Sequence, residues 1–175
     1  SILADAGFSE YEVSNFSRSR DHESRHNRKY WDHTPYLGLG PSAHSLAIED
    51  ASAVPAARRW WNELRTPRWE GRVAAGERPV EAEESLGPKQ MATEAVMLGL
   101  RTAAGIDLDA FTLRYGVDLL AVNAALVERL VAEGHLAARV DPGGARWLVP
   151  TASGLAVADG MAAVFEGIGV YCGVS

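Results

Sequence analysis

The hydrophobic period changes once along this chain, near residue 85, and that change limits the folds it can adopt. Before it, short apolar pieces ("YEVSNF", "YLGLGPSAHSLAI", "RRWWNEL") are cut apart by Gly, Pro and Asn, the pattern of strands and loops in a β-containing unit. After it, Met91, Ala95 and Leu98 recur at i, i+4 and i+7, which lays one apolar stripe along a helix over residues 85–101. Asp107 is placed to cap a short helix through Tyr115 that Gly116 stops. A third helix, from Leu119 to Glu133, carries Val122, Leu126 and Leu130 on one face and ends at Gly134. "HLAARV" and "ARWLVP" form a hairpin around "DPGG", where proline presets φ and glycine accepts positive φ. Thr151 then caps a last helix reaching Phe165. Three helices, a hairpin and a final helix make a winged-helix-like order. Residues 66–84, rich in Arg, Glu, Gly and Pro, read as a linker with at most a short helix. The expected division is therefore a β-containing unit over 1–65, a linker over 66–84 and a mostly helical module over 85–175, an α/β chain.

The helix-like "ILADAGF" at the start, followed by two or three strands without partners, reads as the tail of a larger domain. With 47% apolar residues in 175, the chain can bury one good core or two small ones. No apolar run approaches the roughly 18 residues that span a bilayer, and "SILADAGFSE" has neither the basic nor the apolar segment of a secretory leader, so a cytoplasmic location is expected. The single cysteine, Cys172, sits in a glycine-rich tail and reads as an inert thiol; it excludes an intrachain disulfide and cannot by itself ligate a cluster. Up to Arg78 eleven basic residues balance eleven acidic ones, whereas six face twelve beyond it, so the second part is a poor polyanion binder.

Local basicity concentrates at residues 18–29, leading into "SRHNRKYW". A flat tetrapyrrole needs an axial ligand, aromatic faces and cations for its carboxylates, and His26, Tyr30 and Trp31 with Arg25, Arg28 and Lys29 offer all three, with nearby His22 and His33 as further ligand candidates. The same residues also suit a solvated turn with two aromatic plugs, and composition alone favours that reading. In "GLGPSAHS", Gly38 and Gly40 allow a close backbone approach to a nucleotide or sugar, without the context of a dinucleotide fingerprint or P-loop. Glu12 in "YEVSN" reads as a structural hydrogen-bonding carboxylate. The adjacent tryptophans of "RRWWN" must point in different directions. Glu94 and Arg101, seven apart on one helix, read as contacts between regions.

In order and rough spacing, "GFSEYEVSNF", "SRHNRKYW", "YLGLGPSAHS", "RRWWN", "EAVMLGLR", "GID", "RYG", "EGHL" and "TASG" resemble the C-terminal portion of oxygen-independent coproporphyrinogen-III-oxidase-like radical SAM proteins. "HNRKYW" fits the His-Asn-Arg-x-Tyr-Trp heme motif of the heme-chaperone branch, the HemW type. The resemblance implies the C-terminal strands of a partial (β/α) radical SAM barrel, followed by that family's helical C-terminal domain. It implies heme held through His26, Asn27, Arg28, Tyr30 and Trp31, with His26 as ligand, and contact of Ala43 and His44 with S-adenosylmethionine. Heme, S-adenosylmethionine and a 4Fe-4S cluster are the cofactors implied for the parent protein. The partners implied are heme and apo-haemoproteins, membrane-associated respiratory enzymes among them, at the inner face of the membrane; a homodimer is one assembly it allows.

The family's Cys-x-x-x-Cys-x-x-Cys is absent from this chain, which therefore reads as a fragment without radical chemistry of its own. The alternative in the same family is a coproporphyrinogen III oxidase carrying out two oxidative decarboxylations. A nucleic-acid binder through the winged-helix-like end has the wrong sign of charge, and no nucleic-acid partner is expected.

Overall fold

The structure, a computed structural model, describes residues 2–49 and 55–165 of a mixed α/β chain. A short helix α1 (Ile2–Asp5) leads into a hairpin of β1 (Ser9–Glu12) and β2 (Asn15–Ser17), turned by Ser14 at φ 74. The turn ends strand alternation at Glu12, which is 1% exposed and accepts a hydrogen bond from Asn15. Its carboxylate is thus structural, as expected. Val13 N donates to Arg101 O (2.9 Å) and Ala103 N to Tyr11 O (3.0 Å), so the hairpin docks on a loop far along the chain.

Ser24 Oγ accepts from Asn27 N (3.2 Å) and starts helix α2 (Arg25–Trp31). The segment "RHNRKYW" is neither turn nor strand. Its seven residues give it two usable faces.

Strands β3 (His44–Ile48), β4 (Ala57–Asn62) and β5 (Val80–Leu86) form an antiparallel sheet in that order, with α3 (Thr66–Ala74) between β4 and β5. Residues 66–84 are therefore not the linker their composition suggested. Pro67 fits the first turn of α3, where its missing N–H costs nothing. Strand β5 does not read as a strand in the sequence because its glutamates are matched by arginines of β4, Glu84 directly opposite Arg59 at 3.0 Å and Glu83 diagonally with Arg58 at 3.8 Å, while Ala82 and Leu86 lie opposite Trp61 and Ala57.

The remaining chain follows the expected winged-helix-like order. Helix α4 (Pro88–Gly99) starts where Gln90 Oε1 accepts from Gly87 N (2.8 Å), half of a capping box. After a two-residue strand β6 (Ile106–Asp107), Asp107 caps α5 (Leu108–Tyr115) through the amides of Asp109 and Ala110, and Gly116 stops it at φ 70. The third helix is broken. Asn123 turns its side chain onto Leu119 O (3.1 Å) and separates α6 (Leu119–Val122) from α7 (Ala124–Ala132). The buried positions are Leu119, Asn123, Val127 and Leu130, one place away from the expected stripe of Val122, Leu126 and Leu130: Val122 is exposed, Leu126 half-buried, and only Leu130 of the three is buried.

Strands β7 (Leu136–Val140) and β8 (Arg146–Pro150) flank the expected turn, whose Asp141 Oδ1 accepts from Gly143 N (2.8 Å) and Ala145 N (3.0 Å). With β6 they form a second sheet in the order β6-β8-β7. Thr151 caps α8 (Ala152–Leu155) as expected, and a separate α9 (Ala158–Ala162) completes the described chain. Gly105 holds φ 78 beside this sheet, where a Cβ would lie 2.3 Å from Leu148 O.

One core joins the two regions. Met91 and Val96 of α4 and Leu100 just past its end pack with Phe111, Leu119, Leu130 and Leu148, and the same cluster reaches Leu46, Ala57 and Leu86 of the first sheet. Among the described residues no helix is long and apolar enough to cross a membrane. Cys172 lies outside the described residues.

Candidate functional site

Strand alternation decides which side chains of the first sheet meet. His44 pairs with Trp61 and Leu46 with Arg59, so these four share one face, while Arg58 and Trp60 take the other. The two tryptophans of "RRWWN" do point apart. The imidazole of His44 lies on the indole of Trp61 at 5.8 Å with 27° between planes.

Above this face runs α2, and between them opens a cleft of 680 Å³ that includes Tyr30, Tyr36, His44, Arg59, Trp61 and Met97 in its wall. A chain of rings leads into it. His26 Nε2 lies 3.2 Å from the Tyr30 hydroxyl, with the rings edge-to-face at 5.0 Å, and Tyr30 meets Tyr36 edge-to-face at 4.7 Å. Burial pushes the Tyr36 phenol up, against the pull of Arg59, so it stays protonated at neutral pH and can donate.

At the floor of the cleft five elements share one polar junction. His33, just past α2, takes φ 50 and is 5% exposed. Its Nε2 lies 3.3 Å from Glu94 Oε2 on α4 and its Nδ1 3.5 Å from the Tyr115 hydroxyl on α5; a ring protonated on Nε2 satisfies both. Glu94 Oε2 also accepts from Arg59 Nη2 (2.5 Å), while Arg59 Nη1 donates to Glu84 on β5 (3.0 Å). Burial alone would push the Glu94 carboxyl up. The hydrogen bonds from His33 and Arg59 outweigh it and hold that carboxyl below the ordinary glutamate range.

The segment singled out in the sequence is divided by the fold. Tyr30 faces this cleft. Arg28 and Trp31 face the opposite side, around a second cleft of 640 Å³ with Arg18, Arg20, Arg139 and Trp147. His26 is exposed on α2, Asn27 is half-buried, and neither lines either of these two clefts. The Trp31 Nε1 donor is buried without an acceptor among the described residues, and Arg101 lies over its ring at 5.6 Å while pairing with Asp159. Glu94 and Arg101 both make contacts between regions, as expected.

Ala43 and His44 stand at the start of β3, where only His44 lines the cleft. The glycine loop before them is occupied by the protein itself. A Cβ on Gly38 would sit 2.1 Å from His44 O, Gly38 N donates to Ser45 Oγ (2.9 Å), and Asn62 Nδ2 donates to Gly40 O (2.9 Å). Gly38 is thus required by its own backbone.

Arg59, Trp61, Tyr36, His33 and Glu94 line the cleft, yet only His33, Trp61 and Glu94 drew notice in the sequence, His33 as a further ligand candidate and the other two not as cleft residues. The period-2 alternation of "RRWWN" was the available signal. Among the described residues no group of three His, Cys, Asp or Glu side chains is placed to hold a metal, and the chain's one cysteine cannot supply the three thiolates of a cluster.

Comparison with known proteins adds to this geometry. The family model described as HemN C-terminal domain matches residues 86–141. The heme chaperone HemW of Mycobacterium tuberculosis is 38% identical over 107 residues, covering 61% of this chain and 25% of that protein. The mitochondrial radical S-adenosyl methionine domain-containing protein 1 of Mus musculus is 33% identical over 105 residues, covering 60% of this chain and 24% of its own length. The chain thus spans about a quarter of the length of these curated relatives. In fold it is similar to coproporphyrinogen III oxidase (HemN) from Escherichia coli, a radical SAM enzyme, with a TM-score of 0.66, 18% identity and coverage of 95% of this chain and 38% of that one.

Proposed function

Because the chain belongs to the HemW/HemN-like family, of which it carries the C-terminal portion, we propose that it serves heme binding and transfer in a radical SAM heme chaperone. The observation that carries this reading is the run of rings from exposed His26 through Tyr30 and Tyr36 to the stacked His44 and Trp61. It offers a flat, largely apolar cargo an imidazole at the entrance and aromatic walls within. Arg25 and Lys29, exposed on α2, would supply cations for its carboxylates, with Asn27 between them; Arg28, paired with Glu23, and Trp31 face the second cleft and would serve only a cargo that reaches around the helix.

His26 would ligate the iron through a ring nitrogen. Its Nε2 faces the Tyr30 hydroxyl, so ligation there exchanges one weak, exposed hydrogen bond for a metal bond. A single exchangeable ligand suits a protein that must release its cargo. Ala43 and His44 would form part of the wall for S-adenosylmethionine in the intact protein, whose cluster thiolates must come from outside this chain. Apo-haemoproteins, membrane-associated respiratory enzymes among them, are the proposed acceptors, a homodimer the proposed assembly, and the cytoplasm at the inner face of the membrane the proposed location.

Titrating the intact protein with heme and following the Soret band, wild type against His26→Ala, tests the ligand: weaker binding with a shifted band is expected, and an unchanged titration removes His26. Production of protoporphyrinogen from coproporphyrinogen III by the reconstituted protein would make it an oxidase instead.

A further inference from the structure

We propose that Arg59 is the carboxylate-receiving group of the cleft, and that Glu84 is a resident carboxylate which an incoming one replaces. This rests on the reading of the cleft as a ligand site and names the ligand group it takes.

Two adjacent rungs of the first sheet present their side chains to the cleft. One is His44, Trp61 and Ala82; the next is Leu46, Arg59 and Glu84. The guanidinium therefore stands one rung from a stacked imidazole and indole. A ligand that lies along those rings brings a pendant acid to Arg59.

The two ends of that guanidinium are held differently. Nη2 bonds Glu94, whose side chain is 5% exposed and which also bonds His33. Nη1 bonds Glu84, whose side chain is 37% exposed at the open edge of the cleft. Leaving Glu94 unpaired would strand a charge away from water, which is costly, whereas an exposed cross-strand ion pair is worth little and water readily takes its place. Exchange therefore occurs at Nη1. Glu84 turns to solvent, the ligand carboxylate takes its position, and the charge around Arg59 is unchanged.

The exchange also removes an obstacle. With Glu84 and Glu94 both facing the cleft against the one guanidinium of Arg59, the wall carries more carboxylate than guanidinium, and an added anion meets that excess. Replacing one acid by another avoids that repulsion. A neutral ester has no charge with which to displace Glu84. The ligand class is a carboxylate carried on a flat ring system. A tetrapyrrole propionate and the aminoacyl carboxylate of an adenosyl compound share that chemistry.

The test titrates hemin and hemin dimethyl ester into the intact wild-type protein, Glu84→Gln and Arg59→Lys, read by absorbance. Glu84→Gln should tighten hemin roughly two- to fivefold and leave the ester unchanged. Arg59→Lys, which keeps the charge but loses the fork, should weaken hemin roughly three- to tenfold and again spare the ester. Because Glu84 is at an exposed edge, its variant folds even if Arg59→Lys does not. Running S-adenosylmethionine against its decarboxylated form in the same proteins separates the two sources; a response there alone assigns the site to the aminoacyl carboxylate. If hemin and its ester bind but neither these nor the adenosyl pair respond to the substitutions, the inference is overturned and the heme reading stands. If the wild type takes neither hemin nor the ester, the heme reading falls. The site is then decided by calorimetry of 2-naphthoate against 2-naphthalenemethanol: a carboxylate preference lost in Arg59→Lys supports it, and no preference overturns it.

Discussion

The molecule contains two three-stranded antiparallel sheets, each with one central strand, and uses them in opposite ways. In the second sheet β8 lies between β6 and β7, and its Leu148 closes the core with Ile106 of β6 and Leu136 of β7. In the first, the central β4 buries Ala57 but turns Arg59 and Trp61 toward an open cleft. A sheet that only closes a core can be wholly apolar inside. A sheet that leaves charges on a face open to a cleft must pair them, because an unpaired charge would cost more than the remaining contacts return.

The contrast predicts different responses to substitution. Leu148, 0% exposed at the centre of β8, should on replacement by Ala cost about 2–5 kcal/mol in a urea unfolding experiment, through lost burial and the cavity left behind. A cost near zero would mean that the second sheet closes no core. Glu94→Gln should cost less, about 1–3 kcal/mol, because the amide still accepts a hydrogen bond but no longer balances Arg59. Its pH dependence is the sharper test. The folded Glu94 carboxyl titrates below its unfolded value, so the wild type's advantage over Glu94→Gln is complete above the ordinary glutamate range and disappears as pH falls through the lower folded value. A difference between the two proteins that persists unchanged into acid would mean that His33 and Arg59 do not hold the charge.

The smallest effect is expected at Asp109 and Arg146, paired at 2.7 Å but with both side chains nearly half exposed. The hydrogen bonds from Arg146 hold the Asp109 carboxyl low, yet the pair stands in solvent. Asp109→Asn should move the unfolding midpoint slightly at low salt and not at high salt. A large, salt-insensitive loss would erase the distinction between exposed and buried pairs on which the two sheets differ.

Much of the helical module was legible from residue to residue. Asp107, Gly116, Gly134, Thr151 and "DPGG" act within a turn or two of themselves, so caps, stops and hairpin could be placed without knowing the rest of the chain. Strand β5 was not legible, because its partners lie across the sheet and a strand of glutamates looks like a solvated linker until arginines stand beside it. Nor was the break at Asn123, where a side chain competes with the helix for Leu119 O.

The candidate site divides along the same line. By itself the sequence determined which residue types stand together, rings and cations in "SRHNRKYW" and glycines in "GLGPSAHS", and the order of motifs that carries the resemblance. Only the tertiary structure decided that α2 presents Tyr30 to one cleft and Trp31 to another, and that His33, Arg59 and Glu94 converge from distant segments. Caps and turns depend on neighbours in sequence. A cleft depends on which faces meet, and that is decided by long-range packing.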